Sequence, residues 1–214
     1  MNAMLLPSQR TLFDVPDDVG YFNCAAIAPQ LNVSRARLHE SVEAQSRPWG
    51  GGAGRYFAGI EAIRGLAADV LGGSADAYAV TASASYGAST AARAIEPQLN
   101  PGDKVLVLEG EFPSNVLPWR RMASERGAVV VTVPAPADAD WTRAILARLD
   151  GRTKAVAVAS CFWTDGARID LEAIGAACRD LKASLAIDAT QSWGAMRLDL
   201  ALVQPDFVFA AGHK

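Results

Sequence analysis

From about Ala77 to its last residue the chain repeats one pattern, in which short apolar, β-branched runs alternate with stretches of helical spacing. The runs are "AYAVTA" (77–82), "KVLVLEG" (104–110), "AVVVTVPA" (128–135), "KAVAVAS" (154–160), "ASLAIDAT" (183–190) and "DFVFAAG" (206–212). They are nearly continuous in apolar residues, so they read as strands of a sheet covered on both faces. Such a sheet is mostly parallel, because parallel neighbours need crossover helices and those helices do the covering. Helical spacing over Trp119–Arg126, Trp141–Leu149 and Leu171–Leu181 supplies them. The pattern predicts a three-layer α/β/α domain over 76–214. Residues 34–71 read as two helices broken by the glycine-rich "RPWGGGAG", which makes 1–75 an N-terminal arm leading into the sheet.

With 214 residues, half of them hydrophobic, the chain can bury a substantial core. A net charge of -3 with no basic stripe gives no footprint for nucleic acid or an anionic membrane, which leaves a small molecule as the expected partner. The start, "MNAMLLPSQR", has no leader pattern, and no run approaches the ~18 apolar residues of a membrane span. A cytoplasmic location is expected. Cys24, Cys161 and Cys178 form neither a paired framework nor a metal-binding spacing, so they read as buried thiols in a reducing compartment, with no metal site.

In open α/β sheets chemistry collects where strands end and helices begin, and three strand exits here carry suitable groups. In "VTASASYGAST" small and hydroxylated residues precede a helix, so the backbone around Ala84 and the hydroxyls of Ser83 and Ser85 could receive an anion at the helix N-terminus. An ordinary capped turn has the same composition. In "ASLAIDATQSWG" Asp188 ends an apolar strand, where a carboxylate needs a cation or several donors, and Gln191 follows three residues later. In "DFVFAAGHK" the strand leads past Gly212 to Lys214, whose amine can attack a carbonyl if its pKa is lowered. Together the exits offer handles for a phosphate, a cationic ring nitrogen and an aldehyde, which are the three handles of pyridoxal 5'-phosphate. In that reading Lys214 holds the aldehyde as a Schiff base (an internal aldimine) and moves the substrate's α-proton. Asp188 keeps the ring nitrogen protonated, Gln191 donates to the phenolic oxygen, and the serine loop cradles the phosphate.

"IDATQSWGAMRLDL" followed by "DFVFAAGHK" resembles the signature of the class V aminotransferase and cysteine desulfurase-like family of fold-type I pyridoxal phosphate enzymes. This group also holds selenocysteine lyases, kynureninases and isopenicillin N epimerase-like proteins. "YFNCAAIAP" is similar to the family's Asn-x-Ala-Ala segment, which implies substrate contacts for Asn23 and Ala25; "TASASYGAS" sits at its phosphate loop. "EGEFPSNVLPW" resembles the stretch around the ring-stacking aromatic. The resemblance puts Phe112 where a histidine commonly stacks on the pyridine ring, Trp163 where an asparagine often contacts the cofactor, and His213 beside the phosphate. Ala211 stands where the family has a serine. These departures point away from a standard cysteine desulfurase and towards the branch carrying Trp-Thr-Asp-Gly.

The resemblance implies a homodimer acting on an amino acid by transamination, by C–S or β-elimination, or by epimerisation. It also implies a small C-terminal domain that this chain does not contain. A catalytically inactive binding or regulatory module of the same fold is the alternative. Trp119, Trp141 and Trp193 read as packing groups, His39 as solvated, and Asp165 as a turn residue before Gly166.

Overall fold

The buried apolar runs do assemble as one sheet. In the computed structural model, which describes residues 7–52 and 54–214, five strands pair in the order β2-β1-β3-β4-β5, every pair parallel. They are β1 (Lys104–Leu108), β2 (Val129–Val133), β3 (Thr153–Ala159), β4 (Ser184–Asp188) and β5 (Phe207–Phe209). The first six residues, read above for a leader, and Ala53 of the glycine-rich break lie outside the described residues.

Helices α1 (Asn32–Gln45) and α2 (Arg55–Leu71) precede the sheet, and α3 (Ala84–Ile95) leads into β1. Four crossovers follow: α4 (Leu117–Arg126), α5 (Trp141–Leu146), α6 (Leu171–Leu181) and α7 (Leu200–Val203). Sequence chemistry sets their ends. Ser83, Asp140, Asp170 and Asp199 each accept a backbone N–H of the helix they start, and Gly127 closes α4 in the left-handed conformation at φ 66°.

Alternation along each strand divides the core in two. Val105, Val107, Ala155, Ala157 and Ala186 pack with Trp119 and Met122 of α4 and with the alanines of α3. Leu106, Val156, Val158, Leu185 and Ile187 face Trp141 and Ile145 of α5 and Ile174 of α6. Trp119 and Trp141 are buried packing groups as expected, whereas Trp193 is 37% exposed.

One expected strand is absent. Residues 77–82 form no strand, because their polar groups are taken locally. The Arg64 Nε donates to the carbonyls of Ala75 and Tyr78, and the Thr81 hydroxyl donates to the Ser83 carbonyl. The segment instead delivers Ser83 to the start of α3.

Contacts within the chain define two compact units. One comprises residues up to Ile60 with His213 and Lys214, and the other runs from Glu61 to Gly212 and holds the sheet. In the first, an isolated antiparallel bridge joins Phe13 to Leu31, and the Tyr21 hydroxyl donates to the Ile27 carbonyl at 2.7 Å.

Within the sheet unit, α3 packs against β4 and β5. Gly87 permits this, since a Cβ there would lie 2.8 Å from the Cβ of Phe209. In a helix alanine is normally better than glycine by about 1 kcal/mol. At Gly87 the order should invert, with Gly87→Ala losing about 1–3 kcal/mol of unfolding free energy through overpacking. Gly65→Ala, where a Cβ meets nothing within 4 Å, should gain up to about 1 kcal/mol. Chemical denaturation of both variants checks the pair.

Candidate active site

The strand order reverses at β1, whose neighbours are β2 on one side and β3 on the other. Beyond β1 the chain turns into α4 on one face, and beyond β3 it turns into α6 on the other. The crevice outside the carboxyl ends at such a switch point is where open α/β sheets bind ligands. The exits of β1 and β3 carry Phe112 and Trp163 there. Their rings meet edge to face at 5.7 Å and 88°, and the Trp163 Nε1 donates to the Gly110 carbonyl at 2.8 Å. Both side chains remain over 40% exposed, so they form an aromatic wall at the surface.

Next along the edge, Asp188 closes β4 and is 7% exposed. Alternation places it on the α3 side, because Ala186 packs in the α3–α4 core and Ile187 in the opposite one. Its Oδ1 accepts the Thr190 N–H at 2.9 Å, and its carbonyl accepts the Ser160 N–H at 3.0 Å. The hydroxyls of Ser160 and Ser192 are buried and 2.6 Å apart, which pins the turn after β4 to the end of β3. The Thr190 Oγ1 accepts the Ala211 N–H at 3.1 Å and so ties that turn to the exit of β5. The sequence reading missed Thr190, Ser160 and Ser192. Hydroxyls at two neighbouring strand exits were the available signal.

On the same face stands the N-terminus of α3. The Ser83 Oγ accepts the Tyr86 N–H at 3.2 Å, so Ser83 caps the helix, while the first N–H groups, those of Ala84 and Ser85, have no intrahelical acceptor. Ser83 and Ser85 are exposed and can meet an anion from solvent. Gln191 is half-buried in the turn after Asp188.

A second buried carboxyl was not anticipated. Glu111, in the β1 exit between Gly110 and Phe112, is 8% exposed. Its Oε1 accepts the Phe112 N–H at 2.8 Å, but Oε2 is buried without a partner. The Asn115 Oδ1 accepts the Trp119 Nε1 at 3.1 Å, while its Nδ2 is likewise buried and unpartnered. Burial pushes the Glu111 carboxyl up to about 7, and the Asp188 charge adds to the rise. The Phe112 N–H, the Asn115 amide and the Ala159 N–H act the other way, the last two without reaching hydrogen-bond geometry at Oε2.

The remaining expected site residues lie in the other unit. Asn23 and Ala25 occupy an exposed turn in which the Asn23 carbonyl accepts the N–H groups of Ala26 and Ile27. His213 and Lys214 follow Gly212 directly. Asp165 accepts the Ala167 N–H, and Gly166 has φ 75°, as a turn requires. The thiols depart from expectation: Cys178 is buried and its pKa is pushed up to about 12, but Cys24 is exposed and Cys161 half-buried, because both lie on loops. No cluster that could hold a metal ion occurs among the described residues.

The raised Glu111 pKa makes a stability prediction. A carboxyl at about 7 in the fold and 4.5 unfolded contributes stability that is fully present below pH 4.5 and lost as pH rises through about 7. The whole effect is about 3 kcal/mol. Denaturant melts should therefore show wild type losing stability relative to Glu111→Gln as pH rises from about 5 to 8. Parallel curves would remove the buried acid from the account.

The class-V aminotransferase family profile matches residues 36–214. A probable cysteine desulfurase of Pyrococcus abyssi is 28% identical over 154 residues, which is 72% of this chain and 38% of that protein. Another from Vibrio cholerae is 32% identical over 117 residues, covering 54% of this chain and 29% of that protein. The apo cysteine desulfurase of Thermococcus onnurineus superposes with a TM-score of 0.82 at 22% identity, over all of this chain and 55% of that one. A lyase named C-DES, solved with glycine covalently linked to its pyridoxal phosphate cofactor, superposes with a TM-score of 0.80 at 20% identity, over 97% of this chain and 56% of that one. The chain thus spans well under half the length of these curated relatives, and about half of the solved chains. A profile match over most of its residues, on a parallel sheet of the same architecture, shows that the chain belongs to the class-V aminotransferase family.

Proposed function

We propose that this chain forms the cofactor-binding domain of a pyridoxal 5'-phosphate enzyme acting on amino-acid substrates. The observation that carries the reading is the buried Asp188 carboxylate at the end of β4, on the same sheet face as the open N-terminus of α3. A buried carboxylate and a free helix N-terminus suit a ligand that is cationic at one end and anionic at the other. The C-DES structure, with its linked pyridoxal phosphate, supports that choice of ligand.

When bound, pyridoxal phosphate supplies an electron sink for negative charge at the substrate's α-carbon. The chain's own groups would hold it by their chemistry. The Ala84 and Ser85 N–H groups with the Ser83 hydroxyl would receive the phosphate, Asp188 would pair with the ring nitrogen, and Phe112 would cover the ring. The Gln191 amide would donate to the ring oxygen, and by the family resemblance Trp163 and His213 would serve the cofactor and Asn23 and Ala25 the substrate. Lys214 lies three residues beyond Ala211, whose N–H is tied to Thr190, and it would offer the amine for the aldehyde and for the α-proton.

The reaction turns on where protons come from. A phenyl ring at 112 carries none, and the Trp163 N–H is committed to the Gly110 carbonyl. This favours transamination or epimerisation, in which one amine can carry the α-proton, over C–S cleavage assisted by an acid at that wall. Assembly as a homodimer is supported by the apolar Ile63, Leu66 and Val70 of α2, each more than half exposed. No helix among the described residues is long and apolar enough to cross a membrane. Three unpaired thiols support a reducing, cytoplasmic setting.

Borohydride reduction with peptide mapping should fix a pyridoxyl group on Lys214, and Lys214→Ala should lose both the adduct and turnover. Asp188→Ala should lower kcat at least about 100-fold, at ~1.4 kcal/mol per tenfold. Keto-acid release against sulfide release over a panel of amino acids then separates the reactions. Protein with added pyridoxal phosphate that gives neither adduct nor turnover would leave the inactive-module alternative.

A further inference from the structure

The backbone of Phe112 is held at both of its polar groups. Its carbonyl accepts the Asn115 N–H at 2.8 Å, and its own N–H donates to the Glu111 Oε1 at 2.8 Å. Pro113 follows it and confines it to the extended region, where it stands at φ -59° and ψ 135°. Asn115 is anchored in turn: an indole N–H only donates, so the Trp119 Nε1 takes the Asn115 Oδ1, at 3.1 Å. Trp119 and Asn115 are fully buried and Glu111 is buried, while the Phe112 side chain is exposed. This frame carries a cost. Glu111 Oε2 and Asn115 Nδ2 are both buried without a partner, and each orphaned atom takes stability from the fold. An apolar side chain at 111 would remove one of those orphans. What it would also remove is the acceptor for the Phe112 N–H.

We propose that Glu111 is a positioning residue that acts through Phe112: its Oε1 fixes the peptide bond entering Phe112, and with it the direction in which that ring faces the cofactor. Pro113 restricts the torsion after Phe112, which leaves the peptide before it to be set by something else. Gly110 does not set it, because at φ 68° it already uses the freedom that a glycine has. The Glu111 carboxyl is the group that bonds to that peptide. The Gly110 carbonyl meanwhile holds the Trp163 indole at 2.8 Å, and the two rings meet at 88°. Turning the 111–112 peptide would therefore move one half of the aromatic wall against the other. The core beneath would not move with it, since Asn115 stays tied to Trp119.

This inference rests on the cofactor reading, and its test separates the two. Pyridoxal phosphate is titrated into cofactor-free wild type, Glu111→Met, Glu111→Gln, Phe112→Ala and the double variant Glu111→Met with Phe112→Ala. Visible absorbance gives the affinity, and the visible circular dichroism of the bound cofactor reports how its ring is held. Glu111→Met should bind about three- to tenfold more weakly, the scale of one aromatic contact. Its dichroism should change, while its denaturation midpoint stays at or above that of wild type. Glu111→Gln, which keeps an oxygen for the Phe112 N–H, should recover most of the lost affinity. Without the ring the acceptor has nothing to position, so the double variant should bind as Phe112→Ala does. Losses that add in the double variant overturn the proposal and leave the cofactor reading intact, as does a Glu111→Met protein with wild-type affinity and dichroism. Absence of pyridoxal phosphate binding by wild type overturns both. Should Glu111→Met fail to fold, amide hydrogen exchange decides on wild type alone. A Phe112 N–H that is protected, and slowed further by pyridoxal phosphate, supports the role; one that exchanges as in an open loop refutes it.

Discussion

A parallel sheet buried on both faces has to place all its strand ends alike, and the rest of this structure follows from that. Each crossover returns the chain to the same starting edge, so β1, β3, β4 and β5 all finish on the opposite one. Helices that cover the faces then begin there, presenting N–H groups instead of carbonyls. An edge of this kind tends to attract anions. The acids at 111 and 188 stand out because they occupy it from within.

Glu111 differs from the acids that close donors hold down. Glu96, Glu125, Asp138 and Asp150 are all held below the usual carboxylate range, chiefly by side-chain or backbone donors that include Arg93, Arg121, Arg143 and Lys104. Such pairs, at least partly exposed, say little about function. Glu111 goes up, because desolvation outweighs two backbone N–H groups and an amide. A carboxyl pushed up by burial at the strand-exit edge has a physical reason to be part of a site.

The fold was largely legible because it is written in runs. Five of the six apolar runs became strands, and α6 matched its helical stretch from Leu171 to Leu181. The sixth run, at 77–82, has the composition of a strand, but its Tyr78 carbonyl goes to Arg64 and its Thr81 hydroxyl to Ser83, which composition cannot reveal. Asp188 was legible because a charge at the end of an apolar run is conspicuous locally. Glu111 was not, because it stands one residue past a glycine in a polar-looking "EGEF", and its burial is a tertiary property that no local residue marks. The positions of Ser160 and Ser192 are tertiary in the same sense: 32 residues separate two hydroxyls that are 2.6 Å apart.

The turn that buries Glu111 also orients the aromatic wall. Gly110, at φ 68°, lets β1 turn sharply; its carbonyl holds the Trp163 indole, and the Phe112 N–H two residues on is the donor to Glu111. The shape of the wall and the charge of the edge are therefore not independent. A side chain at 112 that drew the backbone outward would weaken the Phe112 N–H bond that favours an ionised Glu111, and would open the carboxyl to water, which favours ionisation. These effects oppose each other. A change at Trp163 has no such compensation: losing its indole N–H frees the Gly110 carbonyl, and the turn loses the contact that fixes it across the β1–β3 gap. On this geometry the tryptophan beyond β3 helps fix the turn beyond β1 that carries Glu111.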